Sequence, residues 1–150
     1  MVGIGYDSHR FVAGRRLILG GVEIEHEQGL AGHSDADVLA HAVIDALLGA
    51  AGAGDIGTLF PDDDERWRGA DSIDLLRTAV GTIAGSILNV DATIICEAPR
   101  LGPYRAQMER VLAEATSAQV SVKATSNEGM GWIGRGEGIA CLAVAMLRSE

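Results

Sequence analysis

The chain has 150 residues, 47% of them hydrophobic, a formal charge of −9 and two cysteines. That length and apolar content suit one compact domain, residues 1–150, with a real core. The acidic balance, with no clustered Lys/Arg stripe, excludes a general nucleic-acid binder; without the ~20-residue apolar run of a membrane span or a basic-then-apolar leader, a soluble, cytoplasmic protein with no membrane partner is expected.

In chain order, "VGIGYDSHRF" (2–11) reads as an extended segment, in which alternate side chains share a face; Asp7 and His9 then point the same way, with Gly5 beside them and Ser8 opposite. "RRLILGGVEIE" reads as a hairpin turning at Gly20-Gly21. "HSDADVLAHAVIDALLGAAGAGDIG" carries a helical pattern that Ser34 would cap, with Asp37 three residues on as the partner of a capping box, and that should end near Gly49. Leu39, Val43 and Leu47 form its apolar stripe, and Asp37, His41 and Asp45 recur on another face. "DSIDLLRTAVGTIAG" is a further helix, "LNVDATIICEA" a β-branched strand, "GPYRAQMERVLAEATS" a helix with Pro103 in its opening turn, and "QVSVKATS" a strand. "GEGIACLAVAMLRSE" fits either a helix or a buried central strand. The succession points to an α/β (α+β) sandwich, a sheet covered by helices. Cys96 and Cys141 stand in apolar runs, where buried free thiols of a reducing compartment are expected, and neither reads as a metal ligand.

Asp7 and His9 from a strand and His41 from a helix supply one oxygen and two nitrogens, the inventory of an open Zn²⁺ site whose fourth position is left for water or substrate. The plainer alternatives are an ordinary acid–histidine pair at a strand end and a solvated helix face, since spacing alone does not establish proximity.

Four blocks, "GYDSHRF", "GHSDADVLAHAVIDALLGAAGAGDIGTLFPD", "NVDATIICEAPR" and "VKATSNEGMGWIGRGEGIA", together resemble the 2-C-methyl-D-erythritol 2,4-cyclodiphosphate synthase family of non-mevalonate isoprenoid biosynthesis, nearly end to end. The resemblance implies a mixed sheet covered on one face by helices, a homotrimer with the sheets around the threefold axis, active sites between subunits, and a strand as the last element. It implies a substrate, 4-diphosphocytidyl-2-C-methyl-D-erythritol 2-phosphate, that closes into a cyclic diphosphate and expels CMP. Asp7, His9 and His41 match the zinc ligands, and Glu128 matches the glutamate that holds Mg²⁺ or Mn²⁺ on the diphosphate, for which oxygen ligation is apt.

By the same resemblance His33 and Ser126 stabilise the transition state, His33 and Ser34 lying on a mobile loop over the phosphates. Most members of the family carry threonine at the Ser126 position; serine keeps the hydroxyl and loses the methyl that restricts χ1. Ser8 flanks the metal motif, Thr125 and Asn127 flank Ser126, and Asp55, Ile56 and Gly57 with Phe60, Pro61, Asp62, Asp63 and Asp64 match the segments that hold the methylerythritol part. Cys96, Glu97, Ala98, Pro99, Arg100, Leu101 and Gly102 match a cytidine pocket read by backbone groups, with lysine as the family's alternative to Arg100. Trp132 and Arg135 match positions near the trimer axis, where an isoprenoid phosphate could enter an axial cavity. Taken without the family, Ser34 is an N-cap, Ser126 a turn residue, Glu128 an exposed loop acid, the Asp62–Asp64 run solubilising charge, and Arg135 with Glu137 an ion pair. Two rival functions use the same ligands: a noncatalytic trimeric metal or isoprenoid-phosphate sensor, and a zinc phosphoesterase that would add solvent oxygen.

Overall fold

In the computed structural model, which describes residues 1–149, the N-terminal alternation forms β1 (Val2–Ala13). The hairpin is β2 (Leu17–Leu19) and β3 (Val22–Ile24), turning on Gly20 and Gly21 at φ 56° and 72°, the two positive values that its tight turn requires. It stands apart as a two-stranded sheet. A short strand with no pattern of its own, β4 (Gln28–Leu30), pairs with the end of β1. With β5 (Ser86–Ile95), β6 (Gln119–Thr125) and β7 (Gly138–Arg148), the main sheet runs β4-β1-β7-β5-β6. Every pair is antiparallel except β5–β6, whose crossover includes the helix α4 described below.

The ambiguous C-terminus is a strand, because β7 lies in the middle of the sheet and fills ladder positions on both sides, against β1 and β5. Its inner face, Ile139, Cys141, Ala143, Ala145 and Leu147, is buried, whereas Leu142, Val144 and Met146 on the outer face remain exposed, as do Val2, Ile4 and Tyr6 of β1. Both faces of β7 are apolar, so the sequence shows no alternation.

The helices are α1 (Val38–Ala51), α2 (Ile56–Leu59), α3 (Ser72–Gly81), α4 (Arg105–Thr116) and the single turn α5 (Gly131–Gly134). Pro103 falls in a 3₁₀ turn, Gly102–Tyr104, that leads into α4. Helix α1 lies directly across β1 and β7, and α3 packs on its outer side, so the predicted solvated face does not exist: Val38 to Leu48 is buried almost throughout, with Asp37 wholly buried. The close approach depends on Gly3 and Gly5, where a Cβ would overlap the carbonyl oxygens of Ala46 and Ala42. Helix α1 begins and ends elsewhere than expected. Asp37, not Ser34, is the N-cap, accepting from the Ala40 N–H at 3.0 Å, and the helix runs past Gly49 to a left-handed cap at Gly52. The capping box fails because Ala36 takes φ 57°, which breaks the helical path after Ser34.

Asp37 has a second task that local pattern does not reveal: its two oxygens also accept the N–H groups of Gly20 and Gly21 at 2.8 and 2.7 Å, tying the hairpin to the start of α1. Asp37→Ala leaves three N–H groups without this acceptor. A loss of about 3 kcal/mol is expected, or roughly 6–12 °C in Tm for a chain of this size, to be read by thermal unfolding.

Candidate metal centre and adjoining cleft

The Gly3 and Gly5 contacts bring α1 close enough for His41 to meet the side chains that alternate onto the inner face of β1. Asp7 Oδ2 lies 2.8 Å from His9 Nε2 and 3.1 Å from His41 Nδ1, and the two nitrogens are 3.3 Å apart. Ligands about 2.0–2.1 Å from a tetrahedral ion are separated by about 3.3–3.4 Å, so the two nitrogens already span one edge of such a site and the carboxylate oxygen closes the triangle with little adjustment. The donors form a group able to hold a metal ion. His9 Nδ1–H donates to the Ala31 carbonyl at 2.8 Å, which leaves Nε2 as the lone-pair nitrogen. His41 Nε2 is engaged likewise, 2.8 Å from Ser72 Oγ and 3.2 Å from Ser34 Oγ.

Burial opposes the charge on Asp7, but hydrogen bonds from His41 and His9 outweigh it and hold the carboxyl at about 2. His9 is also partly desolvated, which disfavours its cation, yet Asp7 raises it above the ordinary 6.5. For the metal-free protein the sign follows: stability from the protonated His9–Asp7 pair is complete below about 6.5 and is lost as pH rises through the higher folded value. A metal requires His9 unprotonated, so affinity moves the other way. The Tm difference between zinc-loaded and chelator-treated protein should widen as pH rises across that window, in parallel melts. A difference that is flat or narrows would refute this reading of His9.

Around the triad a cleft of about 340 Å³ is lined by His33, Ser34, Ile56, Gly57, Phe60 and Asp62, bringing together the phosphate-loop and methylerythritol segments expected from the sequence, and by Trp67 and Leu75, which were not expected. Asp45, on the same side of α1 as His41, accepts the Ile56 N–H at 2.8 Å and so seats α2 beside the triad. Asp55 caps α2 through Thr58 N–H and Oγ–H at 2.7 and 2.8 Å, and these bonds lower its carboxyl. Asp64 has its carboxylate engaged by Arg66, while its carbonyl accepts from His33 Nε2 at 3.1 Å. The His33 loop is clamped from outside as well: the Arg15 guanidinium donates to the carbonyls of Gly32 and Ser34 at 2.7 and 2.6 Å, on either side of His33. Trp67 stacks edge-on against Phe60, and its buried indole N–H has no acceptor.

The other predicted residues form a second group. Ser126, Asn127 and Glu128 follow β6; Asn127 N–H donates to Glu97 Oε1 at 2.7 Å and Glu128 N–H to Ser126 Oγ at 3.2 Å, while Thr125 accepts from Cys96 N–H at 3.0 Å. The cytidine segment, residues 96–102, therefore abuts the Glu128 loop. Cys96 and Leu101 are buried, Glu97, Ala98, Arg100 and Gly102 exposed, and Ala98–Pro99 is cis. Register carries Asp7 across Cys141 and Ile94 to Ala124. Three strand spacings, roughly 14 Å, thus separate the triad from this group within one chain. Ser8 points to the opposite face and lines a larger cavity of about 570 Å³ with Arg10, Trp132 and Glu137. Arg135 pairs with Glu137, as the plainer reading of that motif anticipated. Cys96 and Cys141 are free and buried; burial pushes the first thiol up to about 11 and the second further, as suits inert core thiols.

Residues 1–148 match the YgbB family. The 2-C-methyl-D-erythritol 2,4-cyclodiphosphate synthase of Symbiobacterium thermophilum is 53% identical over 153 residues, covering 98% of each protein. A bifunctional IspD/IspF enzyme of Desulforudis audaxviator is 56% identical over 99% of this chain, which spans 39% of that protein's length. Among solved structures, a CDP-bound 2C-methyl-D-erythritol-2,4-cyclodiphosphate synthase superposes with a TM-score of 0.87 at 35% identity, covering 99% of this chain and 100% of that one.

Proposed function

The chain belongs to the YgbB family, and from that premise we propose that it converts 4-diphosphocytidyl-2-C-methyl-D-erythritol 2-phosphate to the 2,4-cyclodiphosphate and CMP, as one cytoplasmic domain over residues 1–150. The observation that carries this reading is the cleft in which the Asp7/His9/His41 triad adjoins His33, Ser34, Ile56, Gly57, Phe60 and Asp62.

An oxygen of the 2-phosphate forms a bond to the β-phosphorus, the bond from that phosphorus to the α-phosphate oxygen breaks, and CMP departs with that oxygen; no water is consumed. The residues therefore serve mainly to fold back a polyanion so that its ends meet, a positioning effect of about 7–11 kcal/mol in well-oriented intramolecular reactions. His33 and Ser126 stabilise charge developing on the phosphoryl oxygens, and Ser34, Thr125 and Asn127 orient them. Ile56, Gly57, Phe60 and Asp62 hold the methylerythritol part together with Asp55, Pro61, Asp63 and Asp64, and residues 96–102 hold cytidine. Zn²⁺ at Asp7, His9 and His41, and Mg²⁺ or Mn²⁺ at Glu128, would supply Lewis acidity and a template for phosphate oxygens. Glu128 adopts φ 55°, a conformation rare outside glycine and characteristic of loops shaped for a ligand.

A homotrimer completes the site. The separation of the triad from the Glu128 loop within one chain supports a site shared between neighbours, and the exposed Val2, Ile4, Tyr6, Leu142, Val144 and Met146 give the sheet an apolar face to turn toward a threefold axis. The cavity beside Arg10 and Trp132, with Arg135 nearby, is where an isoprenoid phosphate would bind near that axis.

Incubation with the cytidyl substrate, zinc and magnesium in ¹⁸O-labelled water, followed by mass spectrometry, tests the reaction. Unlabelled cyclic product with CMP supports the synthase; a linear labelled product identifies a phosphoesterase, and absence of CMP leaves the sensor. Shared sites predict complementation: His9→Ala chains mixed with chains crippled in residues 96–102 should regain part of the activity once subunits exchange. No recovery after verified exchange would place the whole site within one subunit.

A further inference from the structure

Behind His41, on the side away from Asp7 and His9, stand two residues with no role in the reaction just described. Ser72, the first residue of α3, is fully buried, and its Oγ lies 2.8 Å from His41 Nε2. Its hydroxyl donates to Asp35 Oδ1 in a short contact, its own N–H donates to Asp35 Oδ2 at 3.0 Å, and the Asp37 N–H donates to Asp35 Oδ1 at 3.1 Å. From this geometry we infer that Asp35 and Ser72 fix the tautomer of His41 and are positioning residues for the metal group.

The argument is one of proton count. A serine hydroxyl has one hydrogen, and an ionised carboxylate can only accept, so the Ser72 hydrogen belongs to Asp35 and the lone pairs of Oγ are left for His41. His41 must then carry its proton on Nε2, which leaves Nδ1, 3.1 Å from Asp7 Oδ2, as the free electron pair that a metal needs. Because Ser72 is fully buried, water is a poor substitute for its hydroxyl. Ser34 Oγ, 3.2 Å from the same nitrogen, accepts the Ala36 N–H and has no carboxylate to direct its hydrogen. The left-handed Ala36 turns the chain between Asp35 and Asp37, so that one carboxylate serves this relay and the other serves the helix cap.

The inference rests on reading Asp7, His9 and His41 as a metal group, but its decisive test needs neither turnover nor metal. Long-range ¹H–¹⁵N correlation on the metal-free, unsubstituted protein at alkaline pH, where histidines are neutral, should show His41 protonated at Nε2. Zinc affinity by chelator competition should then fall 10–100-fold in Ser72→Ala and in Asp35→Asn, the usual loss when a ligand's supporting partner is removed. In Asp35→Asn the amide can donate to Ser72, turning the hydroxyl hydrogen toward His41, so the spectrum should also shift toward the Nδ1–H form, which a merely structural role would not produce. Protonation at Nδ1 in the unsubstituted protein overturns the inference, as does zinc binding within twofold of the parent in both variants. If neither variant folds, the spectrum of the unsubstituted protein decides. A wrong synthase reading would instead appear as absent CMP with the Nε2–H tautomer intact.

Discussion

His41→Ala should strip zinc from the purified protein and lower CMP release by about a thousandfold, equivalent to roughly 4 kcal/mol of transition-state stabilisation. Two donors remain at the triad, Asp7 Oδ2 and His9 Nε2, and two no longer define a tetrahedral template, so added magnesium should not restore turnover. Glu128→Gln is the counterpart. It preserves size and removes one charge from a loop roughly three strand spacings from the triad, so zinc content should stay near normal while the magnesium requirement rises. Metal analysis of the purified proteins and CMP release against magnesium concentration separate the two. Full zinc and activity in His41→Ala, or loss of zinc in Glu128→Gln with an unchanged magnesium response, would show that these residues have been given the wrong ions.

Gly5→Ala should damage fold and metal group together, although Gly5 touches no ligand. Its new methyl would overlap the Ala42 carbonyl, which is backbone and cannot rotate away, so α1 must lift from β1. A cost of about 3 kcal/mol or more is expected from such overpacking. The lift carries His41 away from Asp7 and His9, and a displacement of about 1 Å is enough to weaken a site roughly a hundredfold. Gly49→Ala is the internal control, on the same helix: it is exposed, the nearest atom to its added Cβ is the Ile4 carbonyl oxygen at 3.8 Å, and alanine is the better helix former. It should raise stability by about 0.5–1 kcal/mol and leave zinc affinity unchanged. Thermal unfolding with zinc titration of both variants checks the pair; equal behaviour would mean that the β1–α1 contact does not set the site.

What the sequence by itself determined about this chain lies where local chemistry suffices. Alternation put Asp7 and His9 on one face of β1, two adjacent glycines marked the hairpin turn, and 3.6-residue periodicity located α1, α3 and α4, since each signal depends only on near neighbours. The four motifs named the family in the same way. Tertiary structure decided the rest. Asp37 displaced Ser34 as the cap because its carboxylate is also needed by a hairpin sixteen and seventeen residues away in sequence, and β4 exists only because β1 offers it an edge. Ser72, Asp35, Asp45 and Arg15 are ordinary polar residues in the sequence and acquire their places from partners 11 to 37 residues distant. Side-chain hydrogen bonds at that range leave no period or spacing to read, because the distance that matters is set by the packing of α1, α3 and the hairpin, and by two glycines that let a helix rest on a strand.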